Sequence, residues 1–387
     1  MRPSQMLVDL DKIRHNLREN RRLLAPDVKL MAVLKGNAYG LGAVPVAKTV
    51  LEAGADWIAV AIREEAQELR DAGIRAPILI LGYTGPDDYE YVIRNDIRPT
   101  VYSWELAKVY SQTAVTLGKI VRVHIKIDTG LHRLGFDPTA ETIDVIRRIM
   151  ALPNLEVEGM FTHFATADME NEAGFQKAFH LWQDFVDLTR NQGIRIPLLH
   201  CANTIATIRY PQTHMNMVRV GFTLTREYPC DLAKDLDVTF QPAVTLKSIL
   251  ISKRWIPEGT PLGYFYAWTA PRRTLVGTIP IGYYDGFLRN YFNRGHVLIC
   301  GKKVPIIGKL CMDMMMIDLT DVPEASLNDE VILIGRQGNE TITVEECAAG
   351  MDTINYEVLI RISPRVPRIY VDSTAQKSET KQERMIL

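Results

Sequence analysis

The stretch Leu30-Met31-Ala32-Val33-Leu34-Lys35-Gly36-Asn37-Ala38-Tyr39-Gly40-Leu41-Gly42 decides how the rest of the chain is read. Its apolar run has the look of a strand buried on both faces, and it ends in a lysine rather than a turn residue. Gly36, Asn37, Gly40 and Gly42 then open a tight loop around Tyr39. A buried amine is costly unless it is used. Amines of lowered pKa form Schiff bases with aldehydes, pyridoxal phosphate above all. Taken alone, the lysine equally fits a side chain snorkelling from a strand end.

Regular alternation follows. Apolar runs at Val28–Leu34, Trp57–Ala61, Ala76–Leu81, Arg98–Tyr102, Val121–Ile127, Val157–Thr162, Ile196–His200 and Met217–Val220 are separated by amphipathic stretches, among them Asp11–Leu24, Ala43–Ala53, Ser103–Leu117 and Gly174–Asn191. Such alternation predicts an α/β chain whose residues 10–235 form a (β/α)8 barrel. A doubly wound sheet is the competing layout, but no G-x-G-x-x-G follows the first run. Past residue 236 the texture changes to closely spaced strands: Ala243–Lys253, Thr274–Ile281, His296–Ile299, Val304–Ile307, Met314–Leu319, Glu330–Ile334 and Thr341–Val344. They predict a mostly β C-terminal domain over 236–372, with residues 1–9 joined to it and a polar tail over 373–387.

Composition narrows the function. The net charge of −1 over 387 residues argues against general nucleic-acid binding, and no apolar stretch is long enough to cross a membrane. The N-terminus leads into a charged helical pattern rather than a signal peptide. The five cysteines are odd in number and lack metal-ligand or redox spacing, so no metal site is expected and a cytoplasmic setting fits.

The reactive residues cluster at the ends of the expected strands. Lys35 follows the first. Lys126 and Asp128 close the fifth, with Arg133 just beyond; His163 ends the sixth; His200, Asn203 and Thr204 follow the seventh; Arg219 and Gly221 close the eighth. In a barrel these ends converge on one face, where active sites of this fold are built. Thr204 offers a hydroxyl to a phosphate or caps a helix, and Gly221 admits an anion to backbone N–H groups or is a plain loop glycine. His163 is either a core histidine or a flat partner for a cofactor ring.

With these motifs in place, the chain closely resembles bacterial alanine racemase over almost its whole length. The resemblance runs through Val8-Asp9-Leu10-Asp11, the lysine loop, Val123–Gly130, Phe161-Thr162-His163-Phe164, Ile279–Gly286, Cys311-Met312-Asp313, Ile354-Asn355-Tyr356-Glu357 and Arg365-Val366-Pro367-Arg368. It implies a pyridoxal-phosphate enzyme of fold type III that interconverts L- and D-alanine by two bases, supplying D-alanine for peptidoglycan. Lys35 would hold the cofactor and act on one face of the substrate carbon, and Tyr264, from the partner subunit of a homodimer, on the other. Arg219 would face the ring nitrogen; Tyr39, Asn203, Thr204, Gly221, Phe222 and Tyr356 would line the cofactor, with His163 beside the ring. Arg133 and Met312 would take the substrate carboxylate, with Cys311 and Asp313 in support. Lys126 matches a lysine often carbamylated in this family; neutralising a nearby carboxylate is its other reading.

Some positions depart from the family pattern. Gly36 and Leu41 replace an alanine and a histidine, Phe265 stands where a glycine follows the catalytic tyrosine, and Leu224-Thr225-Arg226 replaces a Leu-Tyr-Gly. These changes bear on substrate range, so serine or broader racemisation and a fold-related decarboxylase stand as alternatives. Tyr356 argues for a small substrate, because its ring would narrow the pocket.

Overall fold

Runs of branched and leucine side chains become strands where both faces can be buried. The computed structural model describes residues 2–225 and 238–373. After β1 (Gln5–Asp9) come eight strands: β2 (Lys29–Val33), β3 (Trp57–Val60), β4 (Ile78–Ile80), β5 (Ile97–Val101), β6 (Val121–Lys126), β7 (Leu155–Phe161), β8 (Leu198–His200) and β9 (Met217–Val220). They pair in the order β8-β7-β6-β5-β4-β3-β2-β9, every pair parallel. The sheet nearly closes: between its two end strands the Arg219 N–H donates to the Ala202 carbonyl at 3.2 Å. This is the expected eight-stranded barrel, with each strand on its expected apolar run.

The connecting helices begin where the sequence provides caps. The Ser103 hydroxyl accepts the Leu106 N–H ahead of helix Trp104–Thr116, and Thr139 does the same for Ala140–Met150. Two short helices, Tyr89–Arg94 and Thr204–Arg209, are additions to the sequence reading. At six residues each they are too short for a 3.6-residue period to show.

The chain divides into two compact units. One is residues 13–38 with 43–241, the barrel; the other takes residues 1–12, 39–42 and the chain from 242 onward. In the second unit, the single strand expected over 243–253 is two, β10 (Val244–Ile249) and β11 (Ser252–Ile256). Leu250 divides them because its N–H and carbonyl turn aside to Asp329 and Asn328. The remaining strands are β12 (Pro261–Leu262), β13 (Trp268–Thr269), β14 (Thr274–Ile279), β15 (His296–Ile299), β16 (Lys302–Ile307), β17 (Met315–Asp318), β18 (Glu330–Gln337), β19 (Glu340–Ile342) and β20 (Arg368–Val371). The main sheet runs β11-β14-β17-β16-β15-β18-β10-β1-β20, with β19 beside β18, and β12–β13 form a separate hairpin. Helices Val344–Met351 and Asn355–Ile360 add an α component that the mostly β reading lacked. The tail from residue 374, Cys230 and Arg226 lie outside the described residues.

One buried carboxylate ties this unit together. The Asp285 side chain is fully buried and meets Arg2 and Arg365 at 2.7 Å each, while also accepting the Gly282 N–H at 2.8 Å. A Cβ on Gly282 would lie 2.4 Å from the Cys311 carbonyl oxygen and 2.5 Å from that of Met312, so only glycine lets the Cys311–Met312 segment approach. Removing one partner of a buried ion pair costs about 3 kcal/mol or more. Asp285→Ala is therefore expected to lower the thermal unfolding midpoint by several degrees, read by circular dichroism, with Asp285→Asn falling between it and the parent.

Candidate active site

The lysine loop is a single left-handed turn. Gly36, Asn37, Ala38 and Tyr39 have φ of 63°, 56°, 52° and 55°, and the Ala38 N–H closes the turn on the Leu34 carbonyl at 2.8 Å. Each non-glycine residue in that region costs about 1–2 kcal/mol, so the turn must be held from outside. Glu65 does this: one carboxylate oxygen accepts the Gly36 N–H at 2.6 Å and the other the Ala61 N–H at 2.7 Å. Asn37 adds its side-chain oxygen to the Ala43 N–H at 2.7 Å. Lys35, at the head of the turn, makes no side-chain ion pair or hydrogen bond among the described residues. Partial burial and the charge of Arg133 lower its pKa, against the opposing pull of Glu65.

Arg219, on β9, is 3% exposed and surrounded by neutral acceptors. Its Nη1 donates to the His200 carbonyl and Nδ1, both at 2.9 Å; Nη2 donates to the Thr162 carbonyl at 2.7 Å, the Cys201 carbonyl at 3.2 Å and His163 Nδ1 at 3.3 Å. Among the described residues no carboxylate pairs with it, and its Nε–H has no hydrogen-bond partner. Burial lowers its pKa to about 10, which still leaves the guanidinium protonated near neutral pH. Burial, and then the Arg219 charge, push His163 and His200 well below the ordinary imidazole value, so both are neutral. A guanidinium has donors only. It therefore fixes Nδ1 of each ring as the acceptor.

Lys126, ending β6, is buried, and its side chain makes no hydrogen bond or ion pair among the described residues. Burial, Arg219 and Arg133 depress its pKa strongly, and the attraction of Asp128 opposes them. Asp128 does not neutralise it: its Oδ1 accepts the N–H groups of Gly130, Leu131 and His132 and shapes the loop that carries the exposed Arg133. Lys126 Nζ lies 4.7 Å and the Arg219 guanidinium 5.3 Å from the centroid of the Phe161 ring. The helix cap considered for Thr204 falls on Asn203, whose side chain accepts the Ala206 N–H at 3.0 Å. The Thr204 hydroxyl instead accepts the Gly221 N–H at 3.1 Å, joining the ends of β8 and β9. Phe222 is buried at the start of the turn Phe222–Thr225.

The second unit carries the other expected residues. Tyr264, Phe265 and Tyr266 project from the loop between β12 and β13, exposed by 59%, 79% and 72%. Phe265 takes φ of 60°, the left-handed conformation that glycine adopts more readily, and Lys309 Nζ lies 4.6 Å from its ring centroid. Tyr264 and Cys311 share the wall of one open cavity of about 390 Å³. Partial burial raises the Cys311 thiol pKa. Met312 is half exposed, and Asp313 pairs with Arg365 at 2.7 Å. The Tyr39 and Tyr356 rings meet edge to face at 6.1 Å.

Comparison with known proteins places this arrangement. Residues 8–229 match the model of the alanine racemase N-terminal domain, and 243–370 that of the C-terminal domain. A curated alanine racemase of Methanococcus maripaludis is 43% identical over 364 residues, 94% of this chain and 97% of that protein. The solved alanine racemase of Clostridium difficile 630 superposes with a TM-score of 0.90 at 38% identity, covering 96% of this chain and 97% of the other. That of Bacillus anthracis, solved with bound L-Ala-P, gives 0.89 at 36%, covering 96% of each chain.

The chain belongs to the alanine racemase family. Within that family frame, Glu65, Phe161 and His200 are residues of the barrel site that the sequence reading did not assign a role. Glu65 sits one turn into a helix, where an acidic residue is usually solvated, and it gave no signal. His200 ends β8 and was visible at a strand end, although its bond to Arg219 was not.

Neutral buried histidines tie stability to pH. Unfolding returns His163 and His200 to a pKa near 6.5, so the unfolded chain binds their protons first as pH falls. Their stabilisation is complete above that value and is lost as pH drops towards their depressed folded-state values. Each contributes about 1.4 kcal/mol per pH unit. Urea unfolding of the parent is expected to weaken steeply between pH 7 and 5, and more gently in His163→Asn.

Proposed function

We propose that the protein is a pyridoxal-phosphate-dependent racemase that interconverts L- and D-alanine. The observation that carries this reading is the array of donors at the barrel mouth, the Lys35 amine, the Arg219 Nε–H and the Arg133 guanidinium, to none of which a carboxylate is paired among the described residues. An anionic aldehyde with a ring nitrogen suits that set. Lys35 would hold its carbonyl carbon, Arg219 its ring nitrogen, and the Thr204 hydroxyl, held by the Gly221 N–H, its phosphate. Tyr39, Asn203, Phe222 and Tyr356 are carried over from the family resemblance. When bound, pyridoxal phosphate supplies the electron withdrawal that acidifies the substrate α-carbon.

The chain's own residues set what happens next. Lys35, its pKa lowered by burial and by Arg133, can take or return the α-proton on one face near neutral pH. The partner's Tyr264 serves the opposite face, so the functional form is a homodimer with two composite sites. The exposure of Tyr264 at the tip of its loop supports that assignment. Arg219 stays protonated and has no proton to give up, so a nitrogen facing it stays unprotonated. This limits electron withdrawal and favours return of the proton over loss of carbon dioxide or transfer of the amino group. Arg133 and Met312 are assigned to the substrate carboxylate.

Decarboxylation is disfavoured by Arg219 and by Cys311, whose raised pKa keeps it a thiol near neutral pH. Tyr356 favours alanine over larger substrates, with serine the nearest competitor. D-alanine for peptidoglycan is the role that this activity suits, in the cytoplasm.

Burial and the charges of Arg219 and Arg133 favour the uncharged form of the Lys126 amine, and its nitrogen can then attack carbon dioxide, releasing one proton and leaving a carbamate anion in the field of Arg133 and Arg219. Protein equilibrated with ¹³C-labelled carbon dioxide is expected to give a carbamate carbon resonance that disappears in Lys126→Ala.

Lys35→Ala should abolish racemisation by at least about a thousandfold. Tyr264→Phe should slow the reaction far more from one enantiomer than from the other, in the rate of α-proton exchange. Parental rates from both enantiomers in Tyr264→Phe would remove it as a base.

A further inference from the structure

A buried chain of polar groups leads from Arg219 across the interior of the barrel, and the mechanism above uses only its first member. His200 Nε2 lies 2.8 Å from His124 Nδ1, and the two rings meet edge to face at 5.1 Å. Both histidines are completely buried. His124 Nε2 faces Glu158 Oε2 at 3.7 Å and has no closer partner. The same Glu158 oxygen accepts Arg98 Nε–H at 3.0 Å, and Arg98 Nη1 is held in turn by Asp96 at 2.8 Å. Trp57 packs on both His124 and Arg98, at 5.3 and 5.4 Å between centres. Phe161 stacks flat on His200 at 4.8 Å. The rings are thus fixed in place, and only their protons can choose a position.

The donors and acceptors allow one direction. Arg219 can only donate, so a neutral His200 accepts at Nδ1 and carries its proton on Nε2. That proton points at His124 Nδ1, which must then accept. The His124 proton is left on Nε2, and the group it faces is a carboxylate, which can only accept. Reversing the chain would set two N–H groups against each other at Arg219. Burial raises the Glu158 pKa, but the nearby His124 ring and the bond and charge of Arg98 outweigh it and keep the group ionised. Burial lowers that of His124, despite Glu158, and keeps the ring neutral.

We propose that Glu158, held by Arg98, is a positioning residue: its carboxylate faces the far end of the chain, favours the proton on His124 Nε2 and, with Arg219 at the other end, keeps His124 and His200 in the tautomers that accept from Arg219. Its effect on the reaction rests on the racemase reading; its effect on the tautomers does not. Without the carboxylate at position 158, no negative charge favours a proton on the buried His124 Nε2, which has no hydrogen-bond partner among the described residues. The His124 proton then gains by moving to Nδ1, which drives the His200 proton to Nδ1 and breaks the bond from Arg219.

The test is long-range ¹H–¹⁵N spectroscopy of the histidine-labelled holoenzyme, with the two rings assigned through His124→Asn and His200→Asn. Both rings are expected with Nδ1 unprotonated and Nε2 protonated. In Glu158→Leu the single tautomer is lost at both rings, and kcat falls about tenfold with KM little changed. Glu158→Gln, which keeps the oxygen but not the charge, falls between Glu158→Leu and the parent. A proton on Nδ1 of either ring in the parent would overturn the proposal, a measurement that stands even if Glu158→Leu fails to fold. So would a folded Glu158→Leu with parental tautomers and kcat. Correct tautomers in a protein that racemises nothing would overturn the functional assignment and leave the chain of bonds intact.

Discussion

A buried arginine with no carboxylate partner is the constraint on which the site depends. Desolvating a guanidinium is expensive, and here the cost is offset by carbonyl groups and imidazole nitrogens rather than by an opposite charge. Because Arg219 is only a donor and remains charged, its neighbours must be neutral acceptors. Burial, and then the charge of Arg219, keep His163 and His200 unprotonated and depress Lys126. A site built this way is suited to an anionic ligand and hostile to a protonated ring nitrogen.

The lysine turn is the second requirement. A strand that ended in an ordinary loop would let Lys35 sweep the barrel mouth. The left-handed turn fixes its departure from β2, and its strain is borne by Glu65 and Asn37. Strain of this kind is found where a side chain must be held in place against the pull of solvent. The same conformation recurs at Phe265, beside Tyr264, so both proposed bases neighbour backbone in the left-handed region.

Much of this was legible in the sequence, for reasons that differ by element. The eight barrel strands are buried on both faces, so each is written as an unbroken apolar run, and all eight were found. Lys35, Lys126, His163 and Arg219 stood out because a polar residue at the end of such a run needs a reason. The break at Leu250 was hidden, because β10 and β11 share one apolar stretch and the division lies in where Leu250 sends its backbone bonds. Helices Val344–Met351 and Asn355–Ile360 were hidden by their brevity. The direction of the His200–His124 bond and the role of Glu65 depend on distances between residues far apart in sequence, which no local pattern records. Motif similarity pointed to Tyr264 and Met312; periodicity would have left both as surface side chains.

The central claim is that a proton leaves one face of alanine and returns to the other within this site. The most direct measurement is to incubate the cofactor-loaded protein with L-alanine in heavy water and to separate the enantiomers by chiral chromatography with mass detection. D-alanine carrying one α-deuterium is the expected product, formed alongside deuterium entering the L-alanine pool. Alanine recovered unlabelled and wholly in the L form would contradict the account.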